Sequence, residues 1–266
     1  MDHSLNVNHD VLPLQKGMIY GPVKSRRLGG SLGINLLPTE FKLCSFNCIY
    51  CQYGQTQPMY LVGRSPRCYK LPTVVDLEKA LLAAFSNIKE EFNYITFSGN
   101  GEPTLHPDFA EMVDMVIALR DKYYPQVRTA LLSNGTMLGK KAVFEAVRKI
   151  DCPIIKLDAG TAELFSTINR PAAGIELDAI VEKLTQLNHP GLKIQALFLG
   201  GDKLNCSDKN LRRWVQLLKR IDPTEVQIYS LDRPSALNDT IKVPRSILRH
   251  IAERTRILTG VPVYSY

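Results

Sequence analysis

No stretch of the sequence approaches the roughly 18 uninterrupted apolar residues that a membrane-spanning helix needs, and no such span is expected. The opening residues, MDHSLNVNHDVLPLQKGMIYG, break their apolar positions with charges and lack the hydrophobic centre of a secretory signal. The expectation is a cytoplasmic protein. Internal repeats, low-complexity tracts and long linkers are also missing. Cysteine is scarce, six in 266 residues, yet three of the six crowd into Cys44, Cys48 and Cys51 while Cys68, Cys152 and Cys206 stand apart. A disulfide framework spreads its cysteines more evenly and over a smaller chain. In a reducing compartment the tight cluster reads as a metal or redox site.

Acidic residues are in deficit. Against 33 Lys and Arg there are 26 Asp and Glu, a net charge of +7, which suits anionic partners such as nucleic acid, phosphorylated metabolites or nucleotides. Hydrophobic residues make up 45% of the chain, enough for the core of an α/β barrel.

From about residue 73 the apolar pattern alternates between helical and strand periods. Helical spacing covers 76–91, 108–122, 140–150, 161–168, 177–187, 207–220 and 245–258; the 207–220 segment carries the only tryptophan, Trp214. Short apolar runs at 32–37, 94–97, 127–132, 154–157, 192–199 and 226–229 read as strands. Strands separated by single helices run parallel with crossover connections. About six β/α units fall short of the eight that close a full barrel. The predicted fold is therefore α/β: a partial (β/α)6 TIM-like barrel with a parallel sheet and outer helices. One domain is expected over 1–266, with an N-terminal extension at 1–30, the barrel core at 31–235 and a C-terminal helix and tail at 236–266. The polar and glycine-rich segments CSFNCIYC, SGNGEP, SNGT, DAG and LGGD all follow predicted strands, where such folds gather their chemistry.

The cysteines are spaced C-x3-C-x2-C. Three thiolates on one short loop can each take one iron of a 4Fe–4S cube, leaving the fourth iron open; catalytic metal sites likewise keep a position free. Zinc normally takes four N/S ligands, and here His106 or Cys68 would have to be recruited. With Tyr50 at the aromatic position, the triplet resembles the signature of the radical S-adenosylmethionine (SAM) superfamily. That resemblance implies one 4Fe–4S cluster on Cys44, Cys48 and Cys51, S-adenosylmethionine as cofactor, and an external electron donor of flavodoxin or ferredoxin type. It also implies reductive cleavage to methionine and a 5′-deoxyadenosyl radical, which abstracts hydrogen from a substrate.

The stretch Ser98-Gly99-Asn100-Gly101-Glu102-Pro103-Thr104 resembles the superfamily's GGEP element, with Asn100 in place of the first glycine. By resemblance, Gly99, Asn100, Gly101, Glu102 and Pro103 bind the cofactor's amino group; glycines permit close backbone approach and carbonyls or a carboxylate accept from an ammonium. Ser133 and Asn134 resemble the polar element near the ribose or carboxylate, or they form a turn and helix cap. Asp158 is matched to the same ribose or carboxylate contacts. Gln195 and Gln227 are expected to face the barrel interior, Gln195 as a further cofactor contact by the same resemblance.

Further upstream, Tyr20-Gly21-Pro22-Val23-Lys24-Ser25-Arg26-Arg27-Leu28-Gly29 and Ser31-Leu32-Gly33-Ile34 resemble a motif of radical enzymes akin to the wyosine tRNA synthases. The segments INRP (168–171), LDAG (157–160) and Asp232-Arg233-Pro234 fit the same group. A tRNA base is thereby one candidate substrate. Wyosine synthases carry extra cysteines before the triplet, and this sequence has none before Cys44. Lys24, Arg26, Arg27, Arg64 and Lys156 are candidate contacts for RNA phosphate or another anion; alternatively, Arg26 and Arg27 form structural ion pairs. Other readings are an activase, a peptide- or small-molecule-modifying radical enzyme, and a noncatalytic iron–sulfur or RNA-binding module. The GEP, SNG and DAG loops disfavour the last. Cys68, Cys152 and Cys206 carry no assigned role; Cys152, between a helix and a strand, is expected at the barrel's stability face, where buried single cysteines usually just pack.

Overall fold

In a computed structural model the described residues are 11–56, 69–200, 205–232 and 241–266. Arg64 and Cys68, the Gly201-Asp202 end of LGGD, and Arg233-Pro234 lie outside them. The described residues divide into two compact units, one within Leu14–Cys44 and Gly63–Ile155, the other within Met1–Pro13, Ser45–Val62 and Lys156–Tyr266. Each is α/β.

The first unit contributes strands β1 (Ile19–Ser25), β2 (Gly29–Asn35), β3 (Tyr94–Ser98), β4 (Arg128–Ser133) and β5 (Cys152–Lys156), whose last residue Lys156 belongs to the second unit, adjacent in that order. Pairs β2–β3, β3–β4 and β4–β5 are parallel, as crossover helices require. Those helices are α1 (Val74–Asn87), α2 (Phe109–Tyr123) and α3 (Lys141–Lys149). α1 starts at a reciprocal cap: Thr73 accepts from the Asp76 amide while Asp76 accepts from the Thr73 amide. Its Leu77 and Leu81, and Met112 and Val116 of α2, are buried, and Phe97 of β3 meets Phe109 edge-on at 5.7 Å.

β1 is the element the periodicity did not reveal. It lies in the expected N-terminal extension and pairs antiparallel with β2, so the sheet is mostly rather than wholly parallel. Gly21 and Pro22 interrupt its alternation, and the register indeed slips between Tyr20 and Val23. An edge strand tolerates a proline there because one row of its amides needs no partner.

The second unit contributes β6 (Lys193–Leu197), β8 (Glu225–Tyr229) and β10 (Val263–Ser265), neighbours in that order and parallel. β7 (Leu199–Gly200) and β9 (Ile241–Lys242) form a two-residue antiparallel pair. The helices are α4 (Ala162–Ile168), α5 (Leu177–Leu187), α6 (Asp208–Ile221) and α7 (Arg245–Thr259). β10 arises where only a tail was expected; three residues are too few to display a period. No helix among the described residues is long and apolar enough to cross a membrane.

Trp214 of α6 is fully buried, stands edge-on to Phe198 at 5.3 Å, and donates its indole N–H to the Leu157 carbonyl at 2.9 Å. That bond ties α6 to the DAG turn. Gly160 completes the fit: a Cβ there would lie 2.3 Å from the Trp214 backbone nitrogen and 2.6 Å from the Asn210 carbonyl oxygen. Gly160→Ala is therefore expected to push α6 off the turn and lower stability by about 1–3 kcal/mol, as overpacking does. Urea denaturation should show a lower midpoint with an unchanged slope.

Candidate active site

In the first unit, register places Asn35 of β2 opposite Ser98 of β3 at the C-terminal ends of both strands. The SGNGEP loop begins there. Leu43, just before the first cysteine, lies along this loop: its amide donates to the Asn100 carbonyl, and its carbonyl accepts from the Glu102 amide, both at 3.0 Å. Gly101 makes that approach possible. Its φ is +142°, and a Cβ would sit 1.8 Å from the Leu43 oxygen.

Asn100, the departure from the familiar glycine, holds the loop down. Its side-chain oxygen accepts from the Gln15 amide at 2.7 Å, and its amide donates to the carbonyls of Gln15 (2.9 Å) and Pro38 (2.8 Å). Any ligand contact at this position falls to its backbone. Tyr20 has a related task. Its ring covers Gly33, and its hydroxyl is 2.5 Å from the Ser98 hydroxyl at the root of the loop.

Glu102 is 2% exposed and joins the SGNGEP and SNGT loops. Oε1 accepts from the Thr104 amide (3.1 Å), the Thr104 hydroxyl and the Ser133 hydroxyl (2.7 Å); Oε2 accepts from the Asn134 amide at 2.7 Å. Oε2 thus keeps one acceptor position in hand. Burial pushes the Glu102 carboxyl above its ordinary value, although the four donors pull against it. Asn134 accepts from the Thr136 amide and hydroxyl, which makes SNGT a genuine turn, and donates to the Cys44 sulfur at 3.7 Å. Turn and cysteine contact coexist.

In the second unit, the cysteine loop zips onto the INRPA segment after α4. The Asn47 amide donates to the carbonyls of Asn169 and Arg170, Ile49 to Ile168, and Ala172 to Ser45, at 2.9–3.0 Å. The Cys51 amide donates to the Cys48 carbonyl at 3.1 Å. Tyr50 is buried and donates its hydroxyl to Asp158 Oδ2. Burial, and then the Asp158 charge, push this phenol well above its ordinary value, so it remains a donor. Asn169, 1% exposed, reaches Asp158 Oδ2 at 2.7 Å, Tyr50 Oη at 3.3 Å and Cys48 Sγ at 3.5 Å through Nδ2. Its buried Oδ1 has no hydrogen-bond partner among the described residues.

Asp158 Oδ1 accepts from the Leu197 amide at 2.7 Å and pairs with Lys156 at 2.9 Å. Lys156 also donates to Tyr229 Oη at 3.0 Å, and its ammonium lies 5.1 and 4.9 Å from the Tyr50 and Tyr229 ring centroids. Burial works against this cation, but Asp158 and Tyr229 outweigh it and hold it above its ordinary value. Tyr229 donates to Gln195 at 3.2 Å, and Gln195 to Gln227 at 3.3 Å; both glutamines are buried.

The structure thus brings Glu102, Ser133, Asn134 and Cys44 together in one unit, and Cys48, Tyr50, Asp158, Lys156 and Gln195 in the other. Lys24, Arg26 and Arg27 are elsewhere: they occupy β1 and the β1–β2 turn at the N-terminal end of β2, roughly 20 Å from Asn35 at 3.3 Å per residue. Cys152 is fully buried among Leu28, Ala130 and Ile154, a packing residue. Asn169 and Tyr229 carried no expectation of their own. Asn169 was visible only inside the INRP motif, and Tyr229 only as the end of a strand. Cys44, Cys48 and Cys51 form no disulfide. Among the described residues, no three His, Cys, Asp or Glu side chains converge on a single-ion position; a cube instead spreads its ligands over separate irons.

Glu102→Ala would strand four donors in a buried place, and a loss of about 2–4 kcal/mol is expected from that mechanism; chemical denaturation reads it directly. The titration has a sign. A carboxyl raised above its ordinary 4.5 in the fold favours folding below that value, and this contribution fades as pH rises through the folded value. Glu102→Gln cannot titrate, so curves of stability against pH for wild type and variant should differ in slope across the mildly acidic range. Parallel curves would refute the raised value.

Comparison with known proteins agrees with this geometry. The family model described as the radical SAM superfamily matches residues 41–215. A UPF0026 protein of Helicobacter pylori is 31% identical over 222 residues, covering 82% of this chain and 68% of that protein. Among solved structures, SuiB of Streptococcus suis bound to its precursor peptide SuiA superposes with a TM-score of 0.62 at 15% identity, over 88% of this chain and 48% of SuiB, so the chain spans about half of it. TYW1 with a lysine-pyruvate adduct bound gives 0.60 at 18% identity, over 85% of this chain and 73% of TYW1. At these identities the structural likenesses speak for the fold, a mostly parallel sheet with helices like that of partial-barrel neighbours. With two thirds of its length matched by the family model, the chain belongs to the radical SAM superfamily.

Proposed function

We propose that Cys44, Cys48 and Cys51 hold one 4Fe–4S cluster with which the enzyme cleaves S-adenosylmethionine reductively, so that the resulting 5′-deoxyadenosyl radical abstracts hydrogen from a substrate. The carrying observation is the donor set. Three cysteines outside any disulfide share one eight-residue span, and two of their sulfurs accept from buried asparagine amides. Sulfur in that role suits a thiolate ligand. The buried, unpartnered Asn169 Oδ1 fits a ligand that brings hydroxyl or ammonium donors, as adenosylmethionine does.

When bound, the cluster supplies the electron for cleavage. This chain's residues supply position. The backbone of Gly99, Asn100 and Gly101, with Pro103 stiffening the turn, and the remaining acceptor position of Glu102 suit the cofactor's ammonium. Ser133 and Asn134 are held by Glu102 where they can meet its polar groups. Tyr50 and Asp158 brace the cysteine loop from below, while the apolar packing of Ile49, Tyr50, Ile168 and Leu197 excludes water. Members of the superfamily generally need an external reductant; a flavodoxin or ferredoxin in the cytoplasm is the proposed donor.

A tRNA base is the candidate substrate by likeness of the N-terminal motif. Asp158 and Tyr229 hold the Lys156 ammonium above its ordinary value, whereas a nucleophilic amine is favoured by a lowered one. Anaerobically reconstituted protein is expected to bind about four irons per chain, as one such cube requires, and to yield 5′-deoxyadenosine with a reductant. Cys48→Ala should abolish both. A zinc-loaded native protein that never yields 5′-deoxyadenosine would sink the proposal. For the substrate, modified nucleosides of tRNA from cells with and without the gene should differ; identical profiles would remove RNA from consideration.

A further inference from the structure

We propose that Asn169 is a positioning residue that couples the buried Lys156–Asp158 ion pair to the Cys48 thiolate and raises the potential at which the cluster accepts its electron. The inference rests on the cluster reading above. It begins from a count. An amide nitrogen has two hydrogens, and Nδ2 of Asn169 faces three acceptors: Asp158 Oδ2 at 2.7 Å, Tyr50 Oη at 3.3 Å and Cys48 Sγ at 3.5 Å. The shortest contact takes one hydrogen. The other is directed to the Tyr50 and Cys48 side.

The amide therefore separates two anions, a carboxylate whose side chain is wholly buried and a thiolate. Like charges so close in a poorly solvated place disfavour any further negative charge, and reduction of a cluster adds one. Two features offset this. Lys156, on the far oxygen of Asp158 at 2.9 Å, neutralises the carboxylate, and the Asn169 N–H dipole points at the sulfur, the kind of hydrogen bond known to set cluster potentials. The side chain is not the only anchor of this segment: the Asn169 backbone carbonyl also accepts from the Asn47 amide at 3.0 Å. A substitution can thus alter the electrostatics while the INRP–cysteine zipper remains.

Signs distinguish this role from mere support. Asn169→Leu removes the donor, and the cluster should titrate at a more negative potential than wild type. Asn169→Asp is nearly isosteric, keeps an acceptor and adds a third anion; its shift should be more negative still. Asp158→Asn removes an anion and should shift the potential the other way, toward positive values. The measurement is a redox titration of the reconstituted cluster followed by electron paramagnetic resonance, with iron and sulfide assayed per chain. If Asn169→Leu retains no cluster, the opposed shifts of Asn169→Asp and Asp158→Asn carry the test. Potentials equal to that of wild type, or shifts of one sign in all the variants, overturn the coupling. A wild-type protein without iron would instead bring down the cluster reading on which it stands.

Discussion

A carboxylate sealed from solvent is tolerable only when its lone pairs are met, and Asp158 shows how much structure this requirement organises. Its side chain is wholly buried. Four donors answer it: the Tyr50 hydroxyl from the cysteine loop, the Asn169 amide from the end of α4, the Lys156 ammonium from the end of β5, and the Leu197 amide from the end of β6. Each comes from a different segment, so a single side chain sets the spacing of four strand-end and loop elements. Asn205 extends the arrangement, donating to the Asp158 and Leu197 carbonyls and accepting from the Leu199 amide.

Glu102 meets the same requirement in the other unit with a different set of donors. Its four bonds come from the adjoining Thr104 and from Ser133 and Asn134 of the next loop. Because Leu43 runs along the same loop on backbone bonds, the residue next in the chain, Cys44, is placed by the peptide ladder as well as by the Asn134 contact to its sulfur. By resemblance both carboxylates are expected to contact the cofactor. In the structure most of their hydrogen-bonding capacity is taken up by neighbouring protein groups.

Much was legible beforehand. The alternation of periods located all seven helices described and the parallel strands β2 to β6 and β8, because burying one face of each element imposes a period on the sequence. The strand-end loops were legible for a related reason: polar and glycine residues that interrupt apolar runs have to be surface or site. β1 escaped because a proline and a glycine masked its alternation, and β10 because of its brevity. The roles of Asn100 and Tyr20 were hidden for a deeper reason. Their partners, Gln15 and Pro38 for one, Gly33 and Ser98 for the other, are brought to them by folding, and no local spacing announces such contacts.

By itself, then, the sequence determined the class of fold, the three sulfurs and the family, since each depends on residue types at short, fixed separations along the chain. Tertiary structure alone decided what surrounds those sulfurs. It set Asn134 against Cys44 and Asn169 against Cys48, held Lys156 between two tyrosine rings, and left Lys24, Arg26 and Arg27 at the opposite end of β2. Separations of 90 and 121 residues lie between each asparagine and its cysteine. Burial, which makes an unpartnered polar group costly, brings such distant residues into contact.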